Sequence, residues 1–131
     1  MALNENAQKW NAALKSGEFE QARGQLKTED DHFCCLGVAC ELYRRETGQG
    51  EWEQHADDRS IVEFRLDEEF VGGILPPRVQ SWLGLREPAG AYYDEYHSQN
   101  CLTADNDAGY TFDRIATIVE SEPDGLFKIQ T

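Results

Sequence analysis

Leu3, Ala7, Trp10 and Leu14 recur at the three-and-four spacing of a helix face, and Gly17 stops that helix after Lys15 and Ser16. The stretch from Phe19 to Leu26 has no period and reads as an extended arm carrying Gln21, Arg23 and Gln25. A second helix is predicted from Phe33 to Arg45, with N-cap candidates in Thr28-Glu29-Asp30-Asp31. Its first two turns are apolar all round, which marks a helix buried on most sides. Arg44 and Arg45 suit the negative end of its dipole, and Gly48 suits its C-cap.

Beyond Trp52 the period changes from helical to two. Val62, Phe64 and Leu66 alternate with Glu63, Arg65 and Asp67, as in a half-buried strand. Gly72-Gly73 predicts a turn. Pro76-Pro77 opens a short helix, Pro77 to Leu83, closed by Gly84. Ala91 to Tyr96 reads as another strand. Phe112, Ile115, Ala116 and Val119 share one face of a last helix that starts at Thr111 and ends at Pro123. Phe127 and Ile129 alternate with Lys128 and Gln130 as a short terminal strand. The sum is a small α+β domain: a buried central helix, three further helices and a small antiparallel sheet, with residues 1–131 forming one domain.

Composition supports a folded chain. Of 131 residues, 40% are hydrophobic and 11% aromatic, enough to offset chain entropy. Charge narrows the partners. Twelve Lys and Arg stand against 25 Asp and Glu, a net of -13. Such a surface repels phosphate backbones and anionic membranes, so neither direct nucleic-acid binding nor membrane binding is expected. The longest apolar run, Phe33 to Cys40, falls far short of the ~20 residues of a membrane span. The first residues show no secretory pattern, and the four cysteines suit reduced core thiols, which points to the cytoplasm.

The candidate chemistry is sparse. A zinc site would have to combine Cys34, Cys35, Cys40 and Cys101 with His32 or His97, without the paired spacing such sites use. Core packing explains these cysteines better, and no metal or cofactor is expected. Asp30 and Asp31 would raise the pKa of Cys34, which argues against a catalytic thiol. The run Asp105-Asn106-Asp107-Ala108-Gly109 departs from a calcium loop, with Gly109 at its fifth position, Tyr110 at its sixth and Ala116 at its twelfth. It reads as a polar turn in which Asn106 and Asp107 bond backbone amides. No phosphate-cradling glycine loop and no nucleophile elbow occurs.

Four blocks carry a resemblance: WNAALKSGEFEQARGQL from Trp10, FCCLGVACELY from Phe33, LPPRVQSWLGL from Leu75 and LTADNDAGYTFDRIATIVE from Leu102. In their order and extent they resemble a family of small phage and prophage proteins. The resemblance implies a viral or mobile-element origin and expression inside a bacterial cell, and it brings no catalytic residues. Within the blocks Trp10, Leu14, Cys35, Leu36, Val38, Trp82, Leu83, Phe112 and Ile115 read as core, and Ser16, Gln21, Arg23, Asn106 and Asp107 as polar turn or site positions.

Three functions fit. The first is a non-catalytic accessory protein that counteracts a host defence by capturing a small, nucleotide-like molecule. Its site would use Gln21, Arg23, Asn106 and Asp107, with Phe19 or Tyr110 as the aromatic and Arg23 as the anchor. The second is an acidic inhibitor of a host defence protein, or a DNA mimic. The third is an enzyme of unfamiliar arrangement. The bland alternative is that the polar block residues only brace loops.

Overall fold

The computed structural model describes residues 3–128. Helix α1, Glu5–Lys15, starts at Asn4, whose side-chain oxygen accepts from the Ala7 amide at 2.7 Å. It is followed by two short strands, β1 at Glu20–Gln21 and β2 at His32–Phe33, which pair in parallel. The central helix α2, Cys35–Thr47, comes next. Its Cys35, Leu36, Val38, Ala39 and Cys40 are all 0% exposed. The apolar run thus makes the buried helix that the sequence predicts, and Gly48, at φ 71°, closes it in the left-handed conformation that glycine adopts freely.

The start of α2 differs from the expectation. Thr28 to His32 form a tight turn instead, with the Thr28 amide bonded to the His32 carbonyl at 2.8 Å and Asp31 at φ 63°. Those polar residues serve a reversal that returns Phe33 to the core. The cap is Cys34, whose Sγ accepts from the Gly37 amide at 3.4 Å.

Strands β3 (Glu51–Gln54), β4 (Val62–Leu66) and β5 (Glu69–Val71) form an antiparallel sheet in sequential order. The alternation seen in the sequence is the burial of β4, where Val62, Phe64 and Leu66 are buried. The reversal into β5 falls at Asp67, at φ 60°, so the Gly72-Gly73 bend comes one strand later than the pattern suggests. Helix α3, Pro77–Leu83, has the predicted bounds and ends on Gly84 at φ 80°.

The remainder is a hairpin, β6 (Ala91–Tyr93) with β7 (Gln99–Cys101), running directly into α4 (Leu102–Asp107) and then α5 (Phe112–Glu120). Helix α4 replaces the expected polar turn, so five helices stand among the described residues. Thr111, where the sequence starts the last helix, is the cap of α5, its hydroxyl accepting from the Arg114 amide. At the end, Phe127 forms an isolated bridge with Leu85; Ile129 and Gln130 of the predicted terminal strand lie outside the described residues.

One core gathers α1, α2, α3, α5 and the inward face of β4. Trp10 lies fully buried and donates its indole N–H to the Cys35 carbonyl at 2.8 Å. Trp82 is the exception among the predicted core residues: half-buried, it meets Tyr43 edge to face with ring centroids 5.5 Å apart. No helix among the described residues is long and apolar enough to cross a membrane.

Candidate functional site

The residues singled out in the sequence separate into three places. Gln21, Asn106 and Asp107 meet where the arm crosses α4. Asn106, 0% exposed, donates to the Ala22 carbonyl at 2.7 Å, and its oxygen accepts from the Cys35 amide at 3.2 Å and from Gln21 Nε2 at 2.9 Å. Gln21 Nε2 also reaches the Tyr110 carbonyl at 2.7 Å, and Asp107 Oδ1 accepts from the Gly24 amide at 2.8 Å. Asn106 and Asp107 do bond backbone amides, but those of the distant arm and of α2 rather than their own turn. Asn106, Gln21 Nε2 and Asp107 Oδ1 are engaged in holding the arm to the core. Arg23 is exposed beside this tie, its guanidinium nitrogen 3.1 Å from where a Cβ on Gly109 would sit, and it makes no hydrogen bond or ion pair among the described residues.

Phe19 lies elsewhere, buried edge to face against Phe33 at 5.2 Å and covered by the Arg45 guanidinium. It lines a cleft of about 490 Å³ with Phe33, Trp52, Lys27 and Glu41. The cations there are engaged. Glu41 accepts from Arg44, Arg45 and the Trp52 indole, and Lys27 pairs with Asp31 at 2.8 Å. Burial alone would raise the Glu41 pKa, but these donors outweigh it and hold the carboxyl down at about 2.

Tyr110 belongs to the third place, a cleft of about 750 Å³ between the β6–β7 hairpin and α5. Tyr92, Tyr93, Tyr96 and Tyr110 supply its rings, and Arg114 stacks on Tyr110 with 3.6 Å from guanidinium to ring centroid. The hairpin tip is held by Asp94. One of its oxygens accepts from the Tyr96 and Ser98 amides at 2.9 and 3.0 Å, and the other from Asn100 at 3.0 Å. The Ser98 amide, helped by Asn100 and Tyr96, holds Asp94 below its ordinary pKa, so it stays charged. Tyr96 is left 79% exposed, and Tyr93 39%. Glu95, Glu122 and Asp124 add carboxylates, and the Asp124 backbone carbonyl closes one end by accepting from the Tyr93 amide at 2.8 Å.

At the floor, the Tyr92 hydroxyl donates to the buried Asp105. Burial raises the pKa of both groups, and the Asp105 carboxylate pushes Tyr92 higher still, so Tyr92 remains a proton donor at neutral pH. The thiols are similarly quiet. Burial pushes Cys34 up to about 11, and Cys35 and Cys40 well above their ordinary value, so the thiolate that nucleophilic chemistry needs is scarce.

Sequence reasoning grouped Gln21, Asn106 and Asp107, which the structure places together, but it does not show that Gln21 bonds Asn106 or that Asp107 bonds the Gly24 amide. It missed the hairpin cleft, although Ala91-Tyr92-Tyr93-Asp94-Glu95-Tyr96 is the densest tyrosine run in the chain. Tyrosine density by itself reads only as strand propensity. No curated protein and no solved structure matches this chain. Residues 3–123 match one family, so the chain belongs to the domain of unknown function DUF8296.

Proposed function

We propose that this is an accessory protein of phage or prophage origin that acts in the bacterial cytoplasm by binding, not by catalysis, and that the tyrosine cleft is its binding surface. The observation that carries this reading is Tyr96, 79% exposed at the rim of a 750 Å³ cleft on a hairpin tip pinned by three hydrogen bonds to Asp94. A large aromatic held rigid and open binds at low entropic cost and is the usual anchor of a recognition surface. Thiols kept protonated by burial add support. Counteracting a host defence is the role we assign to such a binder, because small phage proteins without catalytic motifs commonly act by binding.

A second reading, capture of a nucleotide-like molecule, is favoured by the Tyr110–Arg114 stack, which offers a ring face and a guanidinium together. Both readings share the cleft. The test is the doubly substituted chain Tyr93→Ala with Tyr96→Ala, expressed in a bacterial host whose defence the unaltered protein blunts. Phage growth should fall back to the level without the protein, while circular dichroism and the melting curve show a folded chain. Undiminished protection of the phage by the folded variant would remove the cleft from this account.

A further inference from the structure

We infer that the cleft receives the cationic side chains of a basic segment of a partner protein, arginine in preference to lysine, with the open face of Tyr96 as their seat. This rests on the cleft being the binding surface.

The chain itself displays the chemistry. Arg114 lies 3.6 Å from the Tyr110 ring centroid, and Arg86 lies 6.0 Å from that of Tyr93, fixed there by its hydrogen bond to the Gly125 carbonyl. Two neighbouring tyrosines thus already carry a guanidinium, which is the favoured cation for an aromatic face. Tyr96 is the most exposed large aromatic side chain and carries no cation among the described residues.

Charge selects the same occupant. Asp94, Glu95, Glu122 and Asp124 line the cleft against the single cation Arg114. A phosphate would enter against four carboxylates. A guanidinium would enter a cleft whose lining holds both rings and carboxylates, and a concave wall strengthens that field. The net charge of -13 extends the attraction to the encounter, since a basic segment is drawn to this chain before contact. The cleft is open, and its volume exceeds that of one side chain, which suits successive residues of an extended segment.

The test is a titration of the isotope-labelled full chain at about 0.15 M salt, where surface attraction is screened beyond ~8 Å. The probes are an acetylated hexa-arginine amide, a hexa-glutamate peptide and ADP. Hexa-arginine should shift the amides of Tyr93, Tyr96 and Glu122 saturably, and hexa-glutamate should not. Tyr96→Ala leaves the charge unchanged and should weaken hexa-arginine about ten-fold, the scale of one desolvated cation–ring contact. Glu5→Gln, on α1, should change it less than about two-fold.

Shifts spread over the acidic surface, or equal affinity of Tyr96→Ala, would overturn the inference. Shifts of the cleft amides by ADP but not by hexa-arginine would also overturn it, yet leave the cleft as the binding surface. If neither probe moves those amides and the doubly substituted chain still protects phage, both readings fall.

Discussion

A single amide side chain, Asn106, does more for this molecule than the arginine that the sequence put forward. Truncating it would strand the Cys35 amide and the Ala22 carbonyl, both buried. Asn106→Ala should therefore cost about 3 kcal/mol in urea unfolding, from the desolvation of two unpaired groups. Arg23→Ala should stay within about 0.5 kcal/mol, as for an exposed side chain without partners. The reverse ranking would mean that the tie is ornamental and that Arg23 braces the fold. Glu41 gives a second residue-scale prediction. Its pKa is about 2 in the folded chain, below the 4.5 of an ordinary glutamate. A depressed value stabilises the fold above pH 4.5, and that contribution drains away as the pH falls towards 2. The full shift corresponds to about 3 kcal/mol, reduced to about 2 because Arg44 and Arg45 are partly exposed. Between pH 5 and pH 2.5 the unaltered chain should lose more stability than Glu41→Gln. Parallel curves would show that the network contributes nothing net.

Among the elements, α2 sets the tolerance of the fold. Glycine inside a helix ordinarily costs about 0.5–1 kcal/mol relative to alanine, so Gly37 needs a reason. A Cβ there would collide with the Leu26 carbonyl, on the arm that crosses α2. Gly37→Ala should cost about 3 kcal/mol or prevent folding, while Gly73→Ala, with open space around it, should be nearly neutral. Equal melting temperatures for the two variants would show that the arm can lift away. The contrast also explains which elements the sequence reveals. Strand β4 and the helices closed by Gly48 and Gly84 are written in local chemistry: a period of two, and glycines in the left-handed conformation. Helix α4 is not. It has six residues, and its Asp105 and Asn106 are buried because distant groups bond them, which no local pattern records. The short strands β3, β5 and β7 fail for a similar reason, since each is defined by its partner. The hairpin cleft stayed hidden because Tyr92 and Tyr93 suit a strand whether they face a core or line a trough, and the position of Tyr96 depends on the turn beyond it.

At the scale of the whole molecule, non-local closure is the common theme. Asn4 and Asn6 donate to the Trp82 carbonyl, and the Lys128 amide donates to the Gly84 carbonyl, so the early and late segments meet at the end of α3. The small sheets are too short to stand alone, and each sends side chains into the one core: Phe33, Phe64 and Tyr92. Charge opposes this compaction, because a net of -13 favours expansion, and the core must outweigh it. The Asn106 tie also has a consequence during synthesis. It joins Cys35 to a residue 71 positions later, so a ribosome translating this chain leaves the Cys35 amide without that partner while the intervening stretch is made. At elongation rates of about 5–20 residues per second that interval is on the order of 4–14 seconds. Throughout it the apolar run that becomes α2 lacks the tie that Asn106 later gives it.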